Sequence, residues 1–166
     1  VTALAARLAA RVPDDGAPWP EARFAAVAAV LRVVDEPELL FIKRADVAHD
    51  PWSGHIAFPG GRSELSDTSL LDTAIRETRE ELSIKIEPKQ VLGRLDDLAP
   101  RSRALPPIIV RPYVAIVSKD AEIIPSREVA ASFWVPLRTI QSIDAETEYT
   151  IATESGVVRF PAYALN

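Results

Sequence analysis

Apolar and polar positions along the chain predict several strands. Residues 24–34 (FAAVAAVLRVV) and 39–45 (LLFIKRA) are apolar runs separated by DEPE, which indicates two strands joined by a turn. Residues 91–98 (VLGRLDDL) indicate a further strand. Residues 108–117 (IIVRPYVAIV) indicate a long one, in which Pro112 is expected at a bulge or a sheet edge because proline lacks an N–H.

A helical period appears in two places. A helix from about residue 70 to 82 would bury one face that carries Leu71, Ile75, Thr78 and Leu82. Ser69 with Asp72 resembles a capping box at the start of this helix. Residues 2–12 are rich in alanine, with leucines four apart, and predict an amphipathic helix.

The remaining segments predict turns and a last hairpin. Residues 56–69 (IAFPGGRSELSDTS) open as a short strand, break at Pro59-Gly60-Gly61 and continue as a polar loop. Residues 126–140 end in an aromatic stretch that leads to a short helix, and residues 147–165 indicate a hairpin turning at 154–156. Strands around one central helix imply an α+β or α/β/α layered fold, and 166 residues suit one domain, residues 1–166.

Composition narrows the classes of function. The chain has no cysteine, which excludes disulfides, thiolate metal sites and a cysteine nucleophile. A formal net charge of −5 without a basic run disfavours nucleic acid as a partner, whereas a small phosphorylated substrate remains compatible if a cation reverses the local charge. No apolar run approaches the roughly 18 residues of a membrane helix, and no secretory signal is apparent. We therefore expect a cytoplasmic protein without a membrane partner.

The sequence RETREEL gathers three carboxylates on one helix face. Glu77, Glu80 and Glu81 fall within an arc of about 100° at 3.6 residues per turn. Like charges at this spacing repel, and acidic residues late in a helix oppose its dipole. A hard divalent cation such as Mg²⁺ would offset this cost, and Arg76 could orient the carboxylate of Glu80 four residues on. The alternative is a solvated, salt-bridged helix surface.

The combination of Gly60-Gly61, a polar loop and Arg-Glu-x-x-Glu-Glu resembles the Nudix box of the Nudix hydrolases, here residues 61–84. The pattern is Gly, five residues, Glu, seven residues, Arg-Glu-apolar-x-Glu-Glu-x-Gly-apolar. The matching residues are Gly61, Arg76, Glu77, Glu80, Glu81 and Ile84. Asp67 replaces the first Glu with eight following residues, Thr78 replaces an apolar residue, and Ser83 replaces the last glycine, at a cost of about 1 kcal/mol if that position is left-handed.

The resemblance implies a Nudix-type α/β/α sandwich with a mixed sheet, and an enzyme that hydrolyses a nucleoside diphosphate linked to another group. It implies Mg²⁺ or Mn²⁺ held by Glu77 and Glu81, with Glu80 as a third ligand or as the base. A Gly61 carbonyl would join the cation's ligands, and Arg76 would orient a carboxylate. Glu128 is a further candidate base, because acidic residues near this segment often face the site; the alternative is a solvated loop residue.

Residues before the box resemble the coenzyme A pyrophosphatase branch of the family. The residues that fit are Leu39, Leu40, Arg44, Ala45, Gly54, Phe58, Pro59, Gly60 and Gly61. The branch's threonine and an arginine are absent; His49 is nearest to the missing arginine, and Arg101 or Arg103 could replace it. Trp52 could stack on a base or cover the core. The candidate substrate-binding residues are Arg44, Trp52, Phe58 and Arg62.

Other functions remain compatible with the sequence. The substrate could instead be ADP-ribose, a dinucleotide or a nucleoside triphosphate. A non-catalytic Nudix-fold binding module is a further alternative, although such modules usually lose box glutamates that this chain keeps. An acidic docking surface would not explain the glycines before the helix. The resemblance leaves a homodimer open and suggests that one more helix would follow FPAYALN.

Overall fold

The computed structural model describes residues 2–15, 21–48, 52–99, 107–142, 146–153 and 156–164. A 3-10 turn at Pro88–Gln90 leads into the strand that begins at Val91. The helices and strands follow one another as α1 (Thr2–Ala9), β1 (Arg23–Val33), β2 (Pro37–Arg44), β3 (Ile56–Ala57), β4 (Gly60–Arg62), α2 (Leu70–Leu82), β5 (Val91–Arg94), β6 (Ile108–Ile116), β7 (Val129–Pro136), α3 (Leu137–Gln141), β8 (Glu146–Thr153) and β9 (Gly156–Tyr163).

Seven strands form one mixed sheet. The order along the sheet is β3-β2-β1-β6-β5, with β4 also pairing with β1 and β7 also pairing with β2. β1 and β6 are parallel, whereas every other pair is antiparallel. β1 is long enough to pair with β2 through residues 31–33 and with β4 through residues 25–27. The box glycines therefore enter the sheet beside the first half of β1, and β2 pairs with its last residues.

Each face of this sheet is covered by a helix. Alternate residues of β1 point to opposite faces, so Ala26, Ala28 and Val30 pack with α2, while Ala29 and Leu31 pack with Leu8 of α1. A strand buried on both faces reads as a continuous apolar run, which explains the run of small and branched residues in β1. The mixed sheet between helices confirms the α+β sandwich expected from the sequence.

Prolines set two differences from the predicted elements. α1 ends at Ala9 rather than near residue 12, because Pro13 cannot continue a helix and disfavours helical backbone at Val12. Pro112 was expected at a bulge or an edge but lies inside β6, in unbroken register with β1. The ladder with β5 stops at Arg94↔Tyr113, one residue from Pro112, so the missing N–H falls where that ladder ends.

The two box glycines were expected as a turn, and the structure makes them a strand. Gly60, Gly61 and Arg62 form β4 and pair with Val27, Ala26 and Ala25 of β1. Gly60 has φ +151°, and a Cβ there would lie 2.6 Å from Cα of Val27. Only glycine accommodates both that backbone conformation and that approach.

α2 has the predicted bounds and the predicted start. The hydroxyl of Ser69 accepts the N–H of Asp72 at 3.1 Å, which caps the helix. Ser83 ends it in left-handed conformation at φ 59°, the strained case considered for this position. Thr78 and Leu82 of the predicted face are buried, but Leu71 and Ile75 are only partly so. The buried face is completed by Thr73, Ala74 and Glu81.

The last two strands form the predicted hairpin as a separate two-stranded sheet, β8–β9. Residues 154 and 155 of its predicted turn lie outside the described residues. Within the described ranges, no helix has the length and apolar character needed to cross a membrane.

Candidate functional site

The glycine strand β4 lies directly against the acidic part of α2. A Cβ added to Gly61 would overlap the carboxyl group of Glu77, so only glycine lets this carboxylate approach the strand. The N–H of Gly60 donates to Oε2 of Glu81 at 2.9 Å. Two carboxylates one helical turn apart therefore meet the same two-glycine strand from one side.

Both carboxylates have lost most of their contact with water. Glu81 is 4% exposed, and burial raises its pKa to about 7 against the opposing hydrogen bond from Gly60. Burial also raises the pKa of Glu77, although Arg76 acts in the opposite direction. A positive ion between these groups and the strand would favour their ionised forms.

Arg76 organises the carboxylates on the outer side of this site. Its Nε and Nη2 donate to the two oxygens of Asp67 at 2.9 and 3.0 Å. Nη1 donates to Glu77 at 2.9 Å and to Glu80 at 3.0 Å. Nη2 also donates to the carbonyl of Arg62 at 3.1 Å, which ties α2 to β4. The guanidinium thus joins the loop, the strand and the helix.

Asp67 is fixed from several directions. Besides Arg76, it accepts the hydroxyl of Thr73 at 2.9 Å and the N–H of Glu64 at 2.9 Å. The hydrogen bond from Arg76 holds the pKa of Asp67 well below its usual range. The N–H of Asp67 donates back to the carbonyl of Glu64 at 3.1 Å, so a tight turn aims the short carboxylate at the arginine.

The loop between β6 and β7 closes the end of the site. The N–H of Ser126 donates to the carbonyl of Glu81 at 2.7 Å, and the N–H of Ile124 donates to that of Leu82 at 2.9 Å. Glu128 follows on this loop, and its charge raises the pKa of Glu81, while the charge of Arg44 lowers it. The structure therefore brings Glu128 and Arg44 to the neighbourhood of Glu81.

The other candidate substrate residues are spread more widely. Arg62 is exposed at the end of β4, and Trp52 is 42% exposed with its ring edge-on to His55 at 5.8 Å. Phe58 stacks on Phe41 at 5.0 Å within the apolar cluster on the α1 face, so it is not brought together with the carboxylates. His49, Arg101 and Arg103 lie outside the described residues.

The sequence did not single out a second polar cluster on the sheet, formed by Arg94, Asp97 and Arg111. Asp97 is buried and accepts from Arg111 at 2.8 and 2.7 Å. One signal was available: Arg111 interrupts an otherwise apolar strand, and a charge in such a strand needs a partner.

The donor set at β4 and α2 fits a hard cation in chemistry. Carboxylate and carbonyl oxygens are the ligands that Mg²⁺ and Mn²⁺ prefer. Glu77 and Glu81 are desolvated against glycines where a Cβ would intrude, whereas Glu80 is 52% exposed and turned to Arg76. In the part of the chain that the structure describes, no three acidic or histidine side chains converge closely enough to hold a metal ion. Glu77 and Glu81 are thus the fitting pair.

Comparison with known proteins agrees with this arrangement. The family model described as NUDIX domain matches residues 22–153, which contain the whole of the sheet from β1 to β7 and α2. The chain belongs to the Nudix family. A Yersinia pestis protein named uncharacterized Nudix hydrolase NudL is 37% identical over 109 residues, 65% of this chain and 52% of the relative. The chain therefore spans about half the length of the curated relatives it matches.

Solved structures show the same Nudix fold at low sequence identity. A MutT/nudix family protein from Enterococcus faecalis has a TM-score of 0.61 and 18% identity, covering 95% of this chain and 57% of that one. The NUDIX domain of Shewanella oneidensis NrtR, solved with ADP ribose, has a TM-score of 0.55 and 22% identity, covering 82% and 85%. An Ap4A hydrolase from C. elegans has a TM-score of 0.55 and 21% identity, covering 70% and 81%.

Proposed function

We propose that this Nudix protein hydrolyses the pyrophosphate bond of a nucleoside diphosphate linked to another group, with coenzyme A derivatives as the first candidates. The observation that carries the proposal is the pair Glu77 and Glu81, desolvated against the two-glycine strand β4. Such a pair is costly unless a cation binds, and a cation bound there suits an anionic pyrophosphate.

Glu77 and Glu81 would hold Mg²⁺ or Mn²⁺, with the Gly61 carbonyl as a further ligand and Glu80 as either a third carboxylate ligand or the base. The bound cation would neutralise charge on the phosphoryl oxygens and lower the pKa of water near them. Arg76 keeps Glu77 and Glu80 oriented through bonds of 2.9 and 3.0 Å, and Asp67 keeps Arg76 in place.

Proton removal from the attacking water falls to Glu80 or Glu128. Glu80 is the most exposed of the three carboxylates Glu77, Glu80 and Glu81, at 52%, so it reaches solvent without further rearrangement. Glu128 lies on the loop bonded to the end of α2 and acts electrostatically on Glu81. The single variants Glu80→Gln and Glu128→Gln distinguish the two candidates. Only the variant that removes the base should flatten the part of the pH–rate profile in which the rate rises with pH.

Substrate contacts are proposed for Arg44, Arg62 and Trp52, with Phe58 acting from behind the sheet. Arg44 lies near Glu81, and an arginine there would pair with a phosphate oxygen. Trp52 is 42% exposed and lies in a loop whose His55 bonds Arg44 at the end of β2, a position that suits stacking on a base. These positions favour a nucleotide over an uncharged substrate.

A substrate panel tests the proposal. Coenzyme A, acetyl-coenzyme A, ADP-ribose, NADH, a dinucleoside polyphosphate and nucleoside triphosphates would be incubated with Mg²⁺ or Mn²⁺, and in parallel with a chelator. We expect chelator-sensitive turnover, with 3′,5′-ADP released from coenzyme A. Turnover of another compound would keep the chemistry and change the substrate. Ligand binding without turnover of any compound would contradict the enzyme proposal and support a non-catalytic binding module.

A further inference from the structure

Two arginines on neighbouring strands form the polar cluster noted above, which we name the arginine pair: Arg94 of β5 and Arg111 of β6. Their side chains are 23% and 22% exposed. Asp97 lies beneath them with a fully buried carboxylate and takes two hydrogen bonds from Arg111. The buried aspartate therefore fixes the guanidinium of Arg111 from the protein side.

On the solvent side, the same pair shares one exposed carboxylate. Oδ1 of Asp15 accepts from Nη2 of Arg94 at 2.6 Å and from Nη2 of Arg111 at 3.0 Å, and Asp15 is 70% exposed. Nη1 of Arg94 is buried 3.5 Å from Asp97, in ion-pair range, and has no hydrogen-bond partner among the described residues. The pair thus converges on a single oxygen position, and one donor of Arg94 makes only this ion pair in the described part of the chain.

Asp15 is not needed to hold its own segment. The N–H of Asp14 donates to Asp96 at 2.8 Å, and the N–H of Asp97 donates to the carbonyl of Asp14 at 2.9 Å. Arg11 also pairs with Asp96. Ion pairs as exposed as that of Asp15 contribute little to stability. Its carboxylate can therefore leave the arginines while the segment stays attached.

The arginine pair lies on the same sheet face as the acidic site. Gly61, Ala26 and Arg111 are in register across β4, β1 and β6, so they share one face. Glu77 meets Gly61 on that face. Neighbouring strands are about 4.8 Å apart, which places Arg111 about 10 Å from Gly61 at the backbone. This separation is of the length of one nucleoside.

We propose that Arg94 and Arg111 bind a phosphate monoester on the substrate, in place of the Asp15 carboxylate. The inference rests on the proposed function and narrows it to nucleotides that carry a phosphate in addition to the pyrophosphate. A phosphate is a better partner for two guanidiniums than a carboxylate is, because a phosphate offers three acceptor oxygens to their forked donors. Asp15 marks the position that one such oxygen would take.

Binding without turnover tests the site. Adenosine 3′,5′-bisphosphate and AMP would be titrated into the metal-free protein by calorimetry, since the two probes differ by one phosphate monoester. We expect the wild type to prefer the bisphosphate by at least about 10-fold, the effect of a single charged hydrogen bond at the low end of its range. Arg94→Gln should remove the preference, and Asp15→Asn should increase it. Arg32→Gln is the matched control, because Arg32 is also 23% exposed and paired with one carboxylate.

Each result has a defined meaning. Arg111→Gln leaves Asp97 buried without its partner and needs a folding check, whereas Arg94→Gln keeps the Arg111–Asp97 pair and remains interpretable. Equal binding of both nucleotides by wild type, Arg94→Gln and Asp15→Asn would overturn the proposal and leave the cluster as a tether. Loss of the preference in Arg94→Gln, together with hydrolysis by the wild type, sustains the proposal and the enzyme together. If the wild type prefers the bisphosphate but hydrolyses no substrate, the proposed enzyme activity is wrong and the proposed phosphate site is supported.

Discussion

Two polar clusters lie on the same face of one sheet, and they are built in opposite ways. The first joins the single guanidinium of Arg76 to Asp67, Glu77 and Glu80, with Glu81 buried beside it. The arginine pair joins two guanidiniums to one buried and one exposed aspartate. Negative charge is therefore in excess in the cluster at α2. In the cluster at β5 and β6, the two positive charges are balanced only while the Asp15 carboxylate stays in place.

This difference shows how one sheet can serve both ends of a charged ligand. Buried carboxylates beyond the reach of one arginine attract a cation, because desolvation disfavours their charge until a positive ion arrives. Guanidiniums fixed from below and held by a loose carboxylate above attract an anion. Excess charge and the exposure of its partner, rather than the number of ion pairs, distinguish a site from a structural bridge.

The largest expected effect comes from removing the excess acid with Glu81→Gln. Turnover should fall by more than about 100-fold, because even outer partners of metal ligands typically contribute 10–100-fold. The thermal midpoint should stay or rise, since a neutral isostere avoids the desolvation that raises the pKa of Glu81. Kinetics and thermal melts would be run beside Glu87→Gln, an exposed glutamate outside both clusters. Wild-type turnover in Glu81→Gln would remove this residue from the site.

A smaller loss is expected when the approach of strand and helix is blocked. In Gly61→Ala the new Cβ would displace the carboxyl of Glu77, and overpacking of this kind costs about 1–3 kcal/mol. Activity should fall with stability. Gly54→Ala is a control, because it strains a residue at φ +70° whose new Cβ would meet Asp46 rather than Glu77, so stability should fall more than turnover. Urea unfolding and turnover of both variants separate the two effects.

Asp67→Asn tests how much the fold depends on the ion pair between Asp67 and Arg76. The variant should lose about 2–3 kcal/mol, typical of a broken charged hydrogen-bond pair. A carboxyl whose folded pKa is depressed stabilises the fold above its unfolded pKa of about 3.9, and this contribution is lost as the pH falls toward the folded pKa. The gap between wild type and variant in urea unfolding should therefore narrow below about pH 4. A gap independent of pH would mean that the charge is not the cause.

The smallest effect is expected at a pair that belongs to neither cluster. Arg32 bonds Glu38 at 2.6 Å and lies 4.3 Å from the ring centre of Trp134. Arg32→Gln should cost about 1 kcal/mol of stability, from one ion pair and one cation–π contact, and should leave turnover unchanged. Chemical unfolding and steady-state kinetics measure both. A fall in turnover would show that the two clusters are not the only charged groups that matter on this face.

The fold was predictable where local signals and burial agree. α2 has its predicted bounds because the Ser69 cap, the apolar period and the stop at Ser83 coincide. β4 was not predicted, since Gly60 and Gly61 have no strand propensity of their own and form a strand only by pairing with β1. The early end of α1 follows from Pro13, because proline disfavours helical backbone at the residue before it.

Only those features of the site that depend on local sequence spacing were predictable. Helical spacing placed Glu77, Glu80 and Glu81 together, but it could not tell which of them is buried: Glu81 is 4% exposed and Glu80 is 52% exposed in its side chain. The arginine pair joins β5 and β6 with the segment after α1. Such contacts across distant parts of the chain depend on strand order, and no single-segment pattern carries strand order.

The loop between β6 and β7 donates two backbone N–H groups to the last carbonyls of α2, one of them the carbonyl of Glu81. For protein engineering, this loop is therefore a poor place for grafts or inserted tags. A change in its length would pull on the helix end that aims a buried carboxylate. Natural variation in substrate choice is better sought in loops that make no bond to this helix.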